Sequence, residues 1–123
     1  ELPEFFFGTG SRVIRGTIEL PSSIDAGTVA NLFVRSEFQS NTVSFEMPLA
    51  GSSLTFAWCD LDPRSDYQVG AAFDANGDAD VGDPEDWEGY FDGTVAAPLG
   101  LGFGEEIDVT AGDVEVSFGV NTL

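Results

Sequence analysis

Apolar and polar residues alternate along most of the chain with the two-residue period of a half-buried β-strand. The clearest example is the segment 42–49, whose apolar positions are Val43, Phe45, Met47 and Leu49. The same alternation predicts strands over residues 12–20, 28–38, 54–58, 67–73, 107–109 and 114–120. The pattern therefore predicts about seven strands.

Short turn-forming segments separate these strands, at residues 21–23, 26–27, 50–52, 62–65 and 111–113. No window shows the three- and four-residue spacing of an amphipathic helix, and 15 Gly and six Pro disfavour long helices. Short strands at this spacing predict an antiparallel sandwich or barrel. A sandwich is favoured because most strands keep one polar face.

The chain shows no internal repeat and no linker, so residues 1–123 are expected to form a single domain. A Phe-rich segment lies in residues 1–11, with Phe5, Phe6 and Phe7 in succession. This segment is expected to form either an extra edge strand or an apolar arm. The favoured interpretation is that it packs over an open edge of the core.

Composition supports a folded core despite a large negative charge. Of 123 residues, 42% are apolar and 12% aromatic, which is too apolar for an acidic disordered chain. The 22 acidic residues face only four Arg and no Lys, so the formal net charge is −18. Such a polyanion is a poor ligand for nucleic acid or an anionic membrane surface, whereas cations are attracted to it.

Several kinds of site are excluded by composition. Without His, the chain cannot build a Ser-His-Asp site, a Cys-His site or a His-based zinc site. No apolar run approaches the roughly 20 residues of a membrane helix, so membrane insertion is not expected. The single cysteine, Cys59, has no partner for an internal disulfide, and its apolar strand context predicts a buried, inert thiol.

The acidic residues are concentrated in one segment. Residues 74–92 contain eight of the 22 acids and no basic residue, whereas even spreading predicts roughly three to four. Crowded carboxylates repel each other unless a counterion lies between them. The part of this segment with ligand-like spacing is residues 74–86, which we call the acidic loop.

The acidic loop resembles the calcium loop of the EF-hand. Oxygen-bearing side chains occupy alternate positions from Asp74, and the carboxylate of Glu85 follows eleven residues after Asp74. The candidate ligands are Asp74, Asn76, Asp78, Asp80 and Glu85, with Asp83 or Asp86 as alternatives to Glu85 as the final ligand. Ca²⁺ takes six to eight oxygen ligands, which a curled loop can supply. The mid-loop Gly of the family is Ala79 here, with Gly77 nearby, and a predicted strand precedes the loop. We therefore expect an EF-like calcium loop in a β-connection, with Mg²⁺ less suited to an all-protein cage.

Two alternatives account for the acids without a metal. The loop can be a solvated acidic turn, because Asn-Gly and Gly-Asp are ordinary turn dipeptides. The whole chain can also be salt-adapted, since proteins of halophiles use net charge to stay soluble. Salt adaptation explains the net charge but does not explain its clustering.

Much of residues 12–123 resembles the prealbumin-like (transthyretin-like) sandwich domains of bacterial exported proteins, including the carboxypeptidase regulatory-like group. The similarity lies in an opening strand at 13–21, a turn followed by a Tyr strand at 61–69, an acidic hairpin at 69–84 and a final strand from Gly112. The chain departs from the family pattern where Asp66 replaces a Gly before Tyr67. The resemblance implies a seven-stranded Greek-key sandwich outside the cytoplasm, without catalytic residues and used as an accessory module.

Three functions follow as hypotheses. The first is a non-catalytic, calcium-stabilised extracytoplasmic module with an accessory, structural or adhesion role, whose partners are a metal cation and other domains of a larger exported protein. The second is a carbohydrate- or other ligand-binding module, because Trp87, Tyr90 and Phe91 follow the acidic loop and aromatic faces stack on sugars; the same aromatics can instead fill the core. The third is an enzyme that uses paired carboxylates. The sequence contains no His, no Lys and no pattern that indicates an apolar pocket, so we expect no catalytic residues.

Overall fold

A computed structural model describes residues 4–6, 8, 10–37, 39–74, 77, 87–91 and 106–122, with 88–90 and 121–122 described by their backbone. Within these residues the chain forms nine strands and no helix: β1 Glu4–Phe6, β2 Arg12–Ile24, β3 Val29–Arg35, β4 Ser40–Glu46, β5 Gly51–Leu61, β6 Gln68–Phe73, β7 Trp87–Tyr90, β8 Val114–Gly119 and β9 Asn121–Thr122. The all-β prediction is confirmed.

The strands form two sheets. The four-stranded sheet has the order β1-β5-β2-β8, and the five-stranded sheet has the order β4-β3-β6-β7-β9. All pairings in the five-stranded sheet are antiparallel. In the four-stranded sheet β2 is antiparallel to β5, whereas β8 is parallel to β2 and β1 is parallel to β5. The prediction of antiparallel strands therefore holds for most pairs but misses these two parallel ones.

The alternation seen in the sequence marks which face of each strand is buried. In β2, Ile14, Ile18 and Leu20 are buried, and Arg15 and Glu19 between them are exposed. The predicted inward residues of β3 are likewise buried. One core cluster contains residues of both sheets, and its largest fully buried side chains are Trp58, Tyr67, Phe56 and Phe73. Burial of this apolar surface is the main term that stabilises the two-sheet fold.

Several predicted element limits differ from the structure. The fourth strand ends at Glu46, and Leu49, predicted to face the core, is 73% exposed. Residues 21–23 belong to β2 rather than to a turn, and the β2–β5 register is irregular between Glu19 and Ile24. Because the ladder is interrupted there, Pro21 can lie in the strand although it has no N–H group.

The predicted strand at 107–109 is also reduced in the structure. Ile107 makes one isolated antiparallel bridge to Tyr67, and Val109 is buried without belonging to a strand. Both residues still bury their side chains, so the alternation there reports burial and not a ladder. Two residues of the predicted strands and arm, Phe7 and Phe38, lie outside the described residues.

The N-terminal segment takes the edge-strand alternative. Strand β1 pairs in parallel with β5, with Phe5 opposite Trp58 and Phe6 opposite Cys59. Phe5 is half-buried and packs against the core, whereas Phe6 is 64% exposed. Phe5 therefore covers part of a core edge.

Candidate functional site

The acidic loop begins where β6 ends. Asp74 directly follows Phe73, and its N–H group donates a hydrogen bond to the carbonyl oxygen of Val29 at 2.9 Å. This bond continues the pairing of β6 with β3 by one residue. As a result the first candidate ligand is held at the end of a sheet and is only 5% exposed.

The two ends of the acidic loop are held together by strand pairing. Strand β7 is antiparallel to β6, and Phe73 is the register partner of Trp87. Residues 74–86 therefore connect two neighbouring strands of one sheet. A β-connection at this position was predicted from the strand pattern before the loop.

Besides Asp74, one further residue of the acidic loop is described, and it has a left-handed backbone. Gly77 has φ +75°, a conformation that L-residues with a side chain rarely adopt. A Cβ at this position would meet no atom within 4 Å, so the backbone conformation and not crowding favours glycine here. The chain therefore bends three residues after Asp74.

A cavity of about 350 Å³ lies beside the start of the loop. Its lining contains Asp74 and Gly77 from the loop, residues 26–28 from the turn before β3, and Val29 at the start of β3. That turn is tied to its surroundings by hydrogen bonds, because Gly27 N–H donates to the Met47 carbonyl at 2.8 Å and the Thr28 hydroxyl donates to the Asp25 carbonyl at 2.7 Å. Such a volume has room for a hydrated ion and several waters.

Nothing in the sequence indicates that the turn at residues 26–28 lies near the acidic loop. Its Ala-Gly dipeptide marks a turn in the sequence, but nothing in that dipeptide indicates which other loop it approaches. Only the pairing of β3 with β6 brings Val29 and Asp74 together.

Of the seven predicted metal ligands, Asp74 is the one inside the described part of the chain. Asn76, Asp78, Asp80, Asp83, Glu85 and Asp86 lie outside it. Among the described residues, no group of three or more His, Cys, Asp or Glu side chains could hold a metal ion. The candidate calcium site therefore remains a prediction from the sequence, with Asp74 and Gly77 placed by the structure.

The three aromatics after the loop are placed to different degrees. Trp87 is 9% exposed and belongs to the core cluster. Phe91 is half-buried against the same cluster, and its N–H donates to the Val69 carbonyl at 3.1 Å. Tyr90 is the register partner of Gly70.

The thiol of Cys59 is buried and free of any disulfide, as predicted. Burial is the main cause that raises the pKa of this thiol, and the negative charges of Glu4 and Asp60 raise it further. Because the thiolate is the reactive form, a raised pKa makes Cys59 a poor nucleophile at neutral pH.

Comparison of the chain with protein-family models, with curated proteins and with solved structures found no match. Within the described residues there is also no helix long and apolar enough to cross a membrane.

Proposed function

We propose that this chain is a non-catalytic, calcium-stabilised β-sandwich module of a protein outside the cytoplasm, with an accessory, structural or adhesion role. The observation that carries the proposal is where the acidic loop begins and ends in the sheet. Its ends are fixed by the Phe73–Trp87 pair, and Asp74 is held at the sheet end beside a cavity. A preformed frame of this kind lowers the entropy that ion binding must overcome.

The ligand set of the proposal is Asp74, Asn76, Asp78 and Asp80, completed by Asp83, Glu85 or Asp86. Gly77 supports it, because its left-handed backbone bends the chain three residues after the first candidate ligand, Asp74. The frame is formed by two strands, so the site differs from the paired helices of an EF-hand. Side-chain and backbone oxygens are the ligands that Ca²⁺ prefers.

A prealbumin-like Greek-key sandwich is the proposed fold family. The described residues form nine strands, of which β2 to β8 would correspond to the seven strands that the resemblance implies. The chain leaves β2 for β3 and β4 in the other sheet and then returns to place β5 beside β2. This return is the connection expected of a Greek key and supports the proposal. The accessory role and the location outside the cytoplasm rest on this resemblance.

Calcium outside cells reaches the millimolar range, which suits sites with dissociation constants of about 10⁻⁴ to 10⁻³ M. At about 1 mM calcium, a site with a dissociation constant of about 10⁻⁴ M would stabilise the fold by about 1.4 kcal/mol, and one of about 10⁻³ M by about 0.4 kcal/mol. For a domain of this size the tighter of these sites corresponds to a rise in Tm of about 5 °C. Even a weak site would therefore add measurably to the stability of the module.

The test is a thermal melt of the wild type and of Asp74→Ala and Asp78→Ala, each in chelator and in millimolar calcium. We expect calcium to raise the Tm of the wild type and to have little effect on either variant. Glu19→Ala is the matched control, since it removes one exposed carboxylate on β2 and should keep the full calcium effect. Equal losses in calcium and in chelator would show that the acids act without a metal.

A further inference from the structure

Phe5 fills a gap between the edges of the two sheets. Its ring centroid lies 5.4 Å from that of Trp58 on β5 and 5.6 Å from that of Phe45 on β4. Trp58 belongs to the four-stranded sheet and Phe45 to the five-stranded sheet. The edge of β5 together with these two rings forms what we call the β1 groove, which accepts a short strand with one inward aromatic residue.

The chain must cross β5 to place its own first strand in this groove. Strands β1 and β2 lie on opposite sides of β5, so the connection between them passes over the end of β5. Gly10 makes this crossing, and its N–H donates to the Asp60 carbonyl at 3.1 Å. A Cβ on Gly10 would lie 2.5 Å from the carbonyl carbon of Leu61 and would clash with its oxygen. The crossing therefore depends on a glycine.

The backbone beneath the crossing is itself unusual. Asp60 has φ 60°, and the β2–β5 register shifts between Arg12, opposite Leu61, and Ile14, opposite Trp58. Asp is among the residues that tolerate this left-handed conformation, which is typical of a β-bulge. Because Gly10 packs directly over this bulge, an added side-chain atom at position 10 would force the β1–β2 connection to move.

We propose that the β1 groove also accepts the Glu4–Phe6 segment of a second copy of this chain, giving a strand-exchanged dimer. The groove fits that segment because it holds the identical one, and exchange of an identical element adds few new contacts. In the exchanged form the connection leaves its own β5, so Gly10 no longer passes over Leu61. The closed monomer has the advantage of an effective concentration in the millimolar range, so exchange in the wild type needs local concentrations of that order.

The first test joins positions 6 and 59 by a disulfide. Phe6 is the register partner of Cys59 and is largely exposed, so Phe6→Cys places two thiols on neighbouring strands. Isotopically labelled and unlabelled chains are mixed, incubated for exchange and oxidised at protein concentrations of about 10 µM and about 1 mM. Mass spectrometry then shows whether linked peptides come from one chain or from two.

We expect same-chain links at the low concentration and a growing share of mixed-label links at the high one. Links within one chain at both concentrations would overturn the proposal. The oxidation is carried out at alkaline pH, because the raised pKa of Cys59 would otherwise leave its thiol poorly reactive. Failure to form any 6–59 link under these conditions would also overturn the proposal, because the β1–β5 register on which the groove rests would then not occur in solution.

The second test introduces a steric clash where the β1–β2 connection crosses β5. Gly10→Ala clashes with Leu61 only in the closed monomer, so it should lower the dissociation constant of the dimer by about 10- to 100-fold in sedimentation experiments. Adding Phe5→Ala should restore the monomer, because the groove then loses its aromatic occupant. Gly112→Ala is the control, since its Cβ would meet no atom within 4 Å. A folded Gly10→Ala protein that stays as monomeric as the control would contradict the proposal.

Discussion

At the residue scale, the Arg64–Asp66 pair shows how one carboxylate connects two loops. Arg64 donates two hydrogen bonds of 2.8 Å to the two carboxylate oxygens of Asp66. The N–H of Glu37, beyond the end of β3, donates to the same carboxylate at 2.9 Å. These bonds to Arg64 and Glu37 hold the pKa of Asp66 at about 2. The carboxylate is therefore charged throughout the range in which an unfolded Asp titrates.

We predict that Asp66→Asn lowers the free energy of unfolding by about 1 kcal/mol at pH 7. The estimate allows for solvent screening, since the side chains of Arg64 and Asp66 are 33% and 20% exposed. A depressed pKa stabilises the folded state fully above the unfolded value of about 3.9, and this contribution is lost as the pH falls towards 2. Urea denaturation at pH 7, 4 and 2.5 measures the difference between variant and wild type.

The control for this prediction is Glu115→Gln, which removes an exposed carboxylate on β8. Its effect should stay within about 0.5 kcal/mol. A loss in Asp66→Asn that does not shrink with falling pH would show that the ion pair contributes no pH-dependent stability.

At the element scale, the passage from β5 to β6 is held by a tyrosine. Tyr67, 1% exposed, donates its hydroxyl hydrogen to the Asp62 carbonyl at 3.1 Å. Its backbone also exchanges two hydrogen bonds with Ile107. The chain changes sheets in this segment, and in β-sandwiches a tyrosine bonded to the backbone a few residues upstream fixes such a corner.

We predict that Tyr67→Phe lowers the free energy of unfolding by about 0.5–1.5 kcal/mol, because the hydroxyl bond is lost while the ring still fills the core. Chemical denaturation measures the loss. Thr17→Val is the matched control, since the Thr17 hydroxyl is paired with Thr55 at 3.4 Å on the exposed side of the sheet. If both variants lose the same stability, the corner bond has no special role.

Among the elements, strand positions were more predictable than strand ends. The two-residue alternation located β2, β3 and β8 because it reports which side chains face the core. It failed at Leu49, where the apolar pattern continues beyond the last paired residue, Glu46. The turn predicted at residues 21–23 is also wrong, because an interrupted ladder tolerates Pro21, a residue that usually ends a strand. Strand ends depend on pairing partners that a local pattern does not contain.

At the scale of the whole molecule, the net charge of −18 is opposed by few cations. Arg64 is engaged with Asp66, and Arg12 donates to the carbonyls of Val109 and Thr110 at 2.8 and 3.2 Å. The guanidinium groups of both arginines are therefore held at fixed positions by these bonds, and they do not neutralise the carboxylates elsewhere on the surface. Mutual repulsion among the carboxylates should destabilise the compact state at low ionic strength.

We predict that raising NaCl from about 0.1 to 1 M in chelator raises the Tm by several degrees, because the screening length falls from about 10 to 3 Å. Tetramethylammonium chloride should act equally, since screening does not depend on the size of the cation. A calcium effect that persists in 1 M salt would separate a specific site from salt adaptation. No response of the Tm to either salt would exclude repulsion as a significant cost.

The candidate site was predictable in its chemistry and not in its surroundings. The acids and their spacing can be read from residues 74–86, and the strand before them predicts a β-connection. The contact of Asp74 with Val29 and the cavity beside residues 26–29 were not predictable. Those features arise from β3 pairing with β6, whose residues are far apart in the sequence.

The sequence by itself determined that the chain forms β-strands, which side chains of each strand are apolar, and where the carboxylates are concentrated. These are local properties, because alternation and composition need no partner. Only the tertiary structure decided which strands are neighbours, that β8 and β1 pair in parallel, and that Phe5 closes the gap between Trp58 and Phe45. Sheet order depends on contacts such as that of Arg12 with Val109, 97 residues apart, which no local pattern specifies.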